Sequence, residues 1–181
     1  MFPRRPRRLD GVSYVGYQRY FATTCTAYRR PVFTQRWVVT EVTEQLRHNA
    51  ALFQFALVAY CVMPDHLHAL IEAKSECADF EALMKRFKQT TGFAYKKQTQ
   101  QQLWQPGYHE RVLRDDEASE AVARYILENP VRAGLSTAVG EYPYAWSDVY
   151  DLESLFLDPS CQKILDRRGQ RGKRLEDGLV F

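Results

Sequence analysis

Two short constellations in the sequence combine residue types that can do chemistry. In the first, His66 and His68 flank Leu67 directly after a Met63-Pro64-Asp65 turn. If this segment is a strand, positions i and i+2 face the same way, so both imidazoles stand side by side while Leu67 enters the opposite layer. Two such nitrogens form a bidentate platform for a divalent ion. The plainer reading is that histidines beside a turn are more often surface or hydrogen-bonded residues than ligands. In the second constellation, Tyr125 and Asn129 stand four apart, one turn from each other on a helical face. A phenol with its ordinary pKa of about 10 is a poor nucleophile near neutrality; it needs alignment and a neighbouring base or cation. The plainer reading makes Tyr125 a core aromatic and Asn129 the last helical residue before Pro130.

The elements that would position these residues follow from periodicity and punctuation. Residues 17–27 are rich in strand formers. Residues 34–50 place Val38, Val42 and Leu46 on one helical face. An apolar strand over 54–62, the proline turn and a strand over 66–72 predict a hairpin. A helix over 79–97 buries Phe80, Leu83, Met84, Phe87 and Ala94, with Lys85, Arg86, Lys88, Lys96 and Lys97 around the rest. A fourth strand covers 108–114. A third helix starts near the acidic run 115–117, buries Val122 and Ile126, and is expected to stop at Asn129, because a residue before proline resists the α conformation. The order βαββαβα predicts an α+β fold: a ferredoxin-like antiparallel sheet backed by helices. The aromatic segment 142–147 is expected to pack on this body.

A chain of 181 residues with 45% hydrophobic content suits one domain with a substantial core. The longest apolar run, around Phe55–Met63, is strand-length, well short of the ~20 residues that span a bilayer, so no membrane role is expected. The arginine-rich beginning lacks an apolar stretch behind it, which argues against a secretory signal. The four cysteines form no CxxC pair and read as reduced thiols of a cytoplasmic protein. Charge is uneven. Residues 1–8 hold Arg4, Arg5, Arg7 and Arg8 with no acid, and residues 167–181 hold five basic and two acidic residues. The body between them is net −4 against +3 overall. Basic ends suggest arms for a polyanion, with solvated tails as the alternative. The organisation expected is a basic arm over 1–16, a domain over 17–150 and a C-terminal extension over 151–181.

Taken together, three blocks resemble a known family. Residues 60–71 (YCVMPDHLHALI) are similar to the histidine-hydrophobic-histidine segment of the HUH single-tyrosine transposases. Residues 103–115 (LWQPGYHERVLRD) and 123–135 (ARYILENPVRAGL) resemble later blocks of the REP-associated branch. The likeness runs in order over about residues 10–150. It implies that Tyr125 is a nucleophile and that His66 and His68 are metal ligands. It makes Asn129 a further polar ligand, with Glu128 as a competitor for that place. His109 would be structural or DNA-facing. The implied ion is Mg²⁺ or Mn²⁺, and two nitrogen ligands suit Mn²⁺ better. The implied partner is single-stranded or hairpin DNA, cut through a 5′-phosphotyrosine and rejoined, by a monomer or homodimer. Arg4, Arg5, Arg7, Arg8, Lys85 and Lys88 are the candidate phosphate contacts. A non-cleaving nucleic-acid-binding protein of the same fold, and a metal-dependent hydrolase using water, are the competing functions. Four N/S ligands with zinc-finger spacing are absent.

Overall fold

A computed structural model describes residues 13–114 and 118–157. The arm residues Arg4, Arg5, Arg7 and Arg8, the acidic run 115–117, and the end of the C-terminal extension lie outside the described residues.

Strands β1 (Arg19–Cys25), β2 (Phe55–Met63), β3 (His66–Ala73), β4 (His109–Val112) and β5 (Ala145–Ser147) form one sheet in the order β4-β1-β3-β2-β5. Every pairing is antiparallel. The first four strands have the ferredoxin-like order expected from βαββαβα. The aromatic segment does more than pack on the body, because it supplies a fifth, edge strand: Ala145, Trp146 and Ser147 pair with Cys61, Tyr60 and Ala59. Ser147 Oγ also donates to the Val58 carbonyl at 2.7 Å, next to the register shift in β2 between Leu57 and Ala59.

Helices α1 (Arg36–Leu52) and α2 (Phe80–Thr99) cover one face of the sheet, and α3 (Ser119–Arg132) covers the other. Strand alternation divides the core accordingly. Tyr20, Leu67, Ala69 and Ile71 pack with Val38, Val42, Leu83 and Phe87 on the α1/α2 side. Leu70, Cys61 and Met63 pack with Val122, Ala123 and Ile126 on the α3 side. Helix α2 starts where Asp79 Oδ1 accepts from the Ala82 amide at 2.9 Å, an N-cap that satisfies one of the free donors of the first turn. Its buried stripe continues through Thr91 and Tyr95, with Ala94 only half-buried. Cys25 and Cys61 are buried free thiols and Cys77 is an exposed one; burial pushes the Cys61 thiol up to about 12. A short helix α4 (Leu152–Leu157) closes over α3. There the fully buried Arg124 guanidinium lies 4.9 Å from the Phe156 ring and 3.8 Å from the Glu120 carboxylate.

The end of α3 corrects the sequence-based expectation. The helix does not stop at Asn129 but runs through Pro130 to Arg132. Proline removes one amide donor, which would leave the Ile126 carbonyl short of its helical partner. The Asn129 side chain makes good the loss: its Nδ2 donates to the carbonyls of Tyr125 at 3.0 Å and Ile126 at 3.3 Å. The helix then ends one turn later, with Gly134 at φ +70 in the left-handed conformation that glycine adopts without a Cβ penalty.

Candidate active site

The two histidines leave β3 toward the α3 face, while Leu67 is 2% exposed in the opposite core. Their Nε2 atoms stand 3.1 Å apart. Each ring is held from behind through its other nitrogen. His66 Nδ1 meets Asp65 Oδ1 at 2.6 Å, and Asp65 Oδ2 in turn takes Arg29 Nε at 2.9 Å. His68 Nδ1 meets Thr23 Oγ1 at 2.8 Å, because β1 pairs with β3 so that Thr23 lies directly opposite His68. Anchoring one imidazole nitrogen to a carboxylate or hydroxyl fixes the ring and aims the other nitrogen forward.

The electrostatics favour a neutral, lone-pair-bearing imidazole at His68. Burial, with the charges of His66 and Arg132 nearby, pushes His68 down to about 3. Burial alone would raise the Asp65 carboxyl, but the bond from His66 and the Arg29 charge hold it below its usual range. The contacts also suggest the tautomers. A proton on His66 Nδ1 serves Asp65, leaving His66 Nε2 to accept from His68 Nε2. The Thr23 hydroxyl then donates to His68 Nδ1. Thr23 could equally accept from that nitrogen, freeing both Nε2 lone pairs together.

This donor set fits a divalent ion. Neighbouring ligands of an octahedral ion at about 2.1 Å stand roughly 3.0 Å apart, close to the observed Nε2 separation of 3.1 Å. Among the described residues no group of three His, Cys, Asp or Glu side chains gathers at one point, so remaining positions would fall to other oxygen donors.

Tyr125 comes to this pair through Phe21 of β1. The Phe21 ring lies 5.5 Å from the His68 ring and meets the Tyr125 ring edge-on at 6.0 Å. Arg132 lies over the other side of the phenol, its guanidinium carbon 4.0 Å from the ring centroid. Arg132 also donates from NH2 to Asn129 Oδ1 at 3.1 Å. The carbonyl oxygen of Asn129, the atom suited to a cation, therefore faces Arg132 in this structure. Glu128 is half-buried, and burial raises its carboxyl against the pull of Arg132 and Arg124. Asn129→Ala is expected to cost about 1 kcal/mol through the two helix-end hydrogen bonds. The check is the urea midpoint at constant m; an unchanged midpoint would mean the side chain adds nothing to the helix end.

The other sequence candidates fall elsewhere. Lys85 and Lys88 belong to α2, on the sheet face away from the histidines. Lys85 is exposed. Lys88 has a structural task, donating to the carbonyls of Gln105 (2.8 Å) and Gly107 and lying 6.0 Å from the Trp104 ring. His109 pairs directly with Thr23 across β1, so its side chain shares the face of the histidine pair. Sequence reasoning missed Thr23, Phe21, Arg29, Asp65 and Arg132. Asp65, adjacent to His66, could have been found. Arg132, seven residues from Tyr125 and hence two turns along the same face, left a weaker signal. Thr23 left none, because its role depends on strand register.

Known proteins resemble this chain in sequence and in fold. A family model described as IS200-like transposase matches residues 15–129. An uncharacterized protein of Haemophilus influenzae is 25% identical over 159 residues, covering 71% of this chain and 88% of its own. A second protein of that organism, assigned by name to the REP-associated tyrosine transposases, is 25% identical over 118 residues, covering 59% of this chain and 67% of its own. Among solved structures, a REP-associated tyrosine transposase bound to a REP hairpin superposes with a TM-score of 0.65 at 20% identity, covering 77% of this chain and 82% of that one.

Proposed function

The chain belongs to the IS200-like transposases, and from that premise we propose that it cleaves and rejoins single-stranded DNA, using Tyr125 as the nucleophile. One observation carries the reading: two imidazoles, each anchored from behind with Nε2 forward, share a sheet face with a tyrosine whose ring touches the same phenylalanine. A non-cleaving binding protein has no need of that combination.

His66 and His68 are the residues that would hold a divalent ion, Mg²⁺ or Mn²⁺, which when bound supplies Lewis-acid polarisation of the scissile phosphate. Asp65 and Thr23 keep the two rings in place without reorganisation. Tyr125 attacks phosphorus in line; its O–P bond forms as the bond to the 3′-oxygen breaks. The phenol gives up its proton and the departing 3′-oxygen takes one, leaving a 5′-phosphotyrosine and a free 3′-hydroxyl. The Arg132 guanidinium, 4.0 Å from the ring centroid, holds the phenol ring in place by a cation–π contact. The phosphotyrosine bond conserves the energy of the phosphodiester, so the 3′-hydroxyl of the same or another strand can reverse the step without ATP. Arg29, Arg111 and Arg132 stand around the pair and the Phe21–Tyr125 rings, a cationic rim suited to a phosphodiester backbone.

The related structure is bound to a REP hairpin, and the DNA expected for this chain is a REP-type hairpin, to be tested with single-stranded flanks. Incubation of the protein with end-labelled hairpin DNA and Mn²⁺, followed by denaturing electrophoresis, should give a stoichiometric covalent protein–DNA species. Turnover without an adduct would point to hydrolysis by water, and binding without strand scission to a domesticated DNA-binding protein. The basic arm makes a separate prediction. If Arg4, Arg5, Arg7 and Arg8 contact phosphates, deleting residues 1–8 weakens hairpin binding. It also lowers the slope of log affinity against log salt by roughly 0.7–0.9 for each phosphate that the arm neutralises, while adduct formation at saturating DNA survives. An unchanged affinity and slope would make the arm a solvated tail.

A further inference from the structure

Helix α2 turns to solvent a face that neither the fold nor the proposed cleavage uses. From residue 82 to residue 109 the sequence holds no aspartate or glutamate, while Lys85, Arg86, Lys88, Lys96 and Lys97 all fall there, in a body that is net −4. Lys88 is occupied with the carbonyls of Gln105 and Gly107. The other four are exposed, and none of their side chains has a hydrogen-bond or ion-pair partner among the described residues. Phe93 lies in their midst, 72% exposed, more than any other large apolar side chain described. Helical spacing makes one stripe of these residues. Steps of three and four lead from Lys85 and Arg86 through Gln89 to Phe93, and from Phe93 to Lys96 and Lys97. At about 3.6 residues per turn, Phe93 falls between Lys85 and Lys96 on one side and Arg86 and Lys97 on the other. The buried stripe of the same helix, from Phe80 and Leu83 to Thr91 and Tyr95, faces the sheet.

Folding accounts for only part of this stripe. The helix macrodipole favours Lys96 and Lys97 in the last turn, but it gives no reason for Lys85 and Arg86 in the second turn. Phe93 contributes nothing to the core while its ring stands in water. Uncompensated cations around an aromatic ring are the elements of a surface for single-stranded nucleic acid, since phosphates take the charges and an unpaired base takes the π face. A duplex offers no such base face along its length. We propose that the exposed face of α2 is a second DNA-binding surface, where Phe93 stacks one unpaired base while Lys85, Arg86, Lys96 and Lys97 hold the backbone of that strand. Helix α2 covers the sheet face opposite the histidine pair, so the stretch held there is separate from the phosphodiester being cut. This deepens the DNA-processing reading and rests on it only for DNA as the ligand; the chemistry of Tyr125 plays no part in it.

The test uses the full chain, with a thymidine homopolymer as the single strand and a blunt duplex as the control. The variants are Phe93→Ala, Phe93→Tyr and the combined Lys85→Gln, Arg86→Gln, Lys96→Gln and Lys97→Gln. All lie at exposed positions, where substitutions change stability little, and thermal melting checks each. Phe93→Ala should bind the single strand roughly five- to a hundredfold more weakly, with duplex affinity unchanged. Phe93→Tyr keeps a ring and should bind within about twofold of wild type. The combined variant should lower the slope of log affinity against log salt by roughly 0.7 for each phosphate released. Photocrosslinking to a bromouracil-substituted strand, mapped by mass spectrometry, should mark the peptide that contains Phe93. The proposal is overturned if Phe93→Ala binds the homopolymer like wild type, the result expected if α2 instead docks an acidic protein. It is equally overturned if single strand and duplex lose affinity alike, or if the crosslink maps only to the opposite sheet face. Scoring the phosphotyrosine species in parallel separates the two readings. That species without a Phe93 effect sinks the second surface and leaves strand transfer; a Phe93 effect without it does the reverse.

Discussion

Tyr125→Phe is expected to abolish the covalent adduct while hairpin affinity stays within about twofold of wild type. The substitution removes one oxygen and keeps the ring, so the edge-on contact with Phe21 and the Arg132 guanidinium at 4.0 Å remain to hold the side chain. What disappears is the phenolic oxygen proposed to bond to phosphorus. Loss of a nucleophile, with binding and the rest of the machinery intact, lowers the rate by at least about a thousandfold, below detection on a gel. Other tyrosines are poorly placed to substitute. Tyr95 is 3% exposed and stacks on Trp37, and Tyr108 is 5% exposed against Phe80, both on the far side of the sheet. The Tyr142 hydroxyl donates to the Val62 carbonyl, and burial raises its pKa to about 12. An adduct from Tyr125→Phe at the wild-type level would end the assignment of Tyr125.

His66→Ala and His68→Ala should each lower metal-dependent cleavage by about a hundredfold or more at saturating DNA. With only two imidazoles in the pair, neither can be removed without halving the nitrogen donors. His68 also stacks on Phe21, so its replacement is checked for folding by thermal melting. Asp65→Asn and Thr23→Val provide a gentler version. They leave both Nε2 atoms in place and disturb only the groups behind them. Removing such support typically weakens metal affinity 10- to 100-fold, so the Mn²⁺ concentration for half-maximal cleavage should rise by that factor, with the plateau rate largely kept. Cleavage that survives chelation, or variants sharing the wild-type Mn²⁺ midpoint, would remove the histidine pair from metal binding.

Much of this arrangement is legible in the sequence. The two-residue repeat of a strand is enough to put His66 and His68 on one face and Leu67 on the other. The helical repeat is enough to stack Tyr125 and Asn129. Both follow from backbone geometry within a few residues, and the order of strands and helices follows from hydrophobic periodicity and turn residues. Pairing across the sheet has no such local cause. Thr23 supports His68 because β1 settles beside β3 in one register, across 45 residues of chain; a slip of one residue would turn Thr23 to the opposite face. The fifth strand arises because the edge of β2 has free hydrogen-bonding groups that residues 145–147 can reach. Helix α3 passes Pro130 with the Asn129 amide turned back onto the Ile126 carbonyl that proline leaves short. Residue types and local spacing thus determined which groups could do chemistry. The tertiary structure decided which of them meet, since register, layer packing and carbonyl satisfaction are settled between segments distant in the chain.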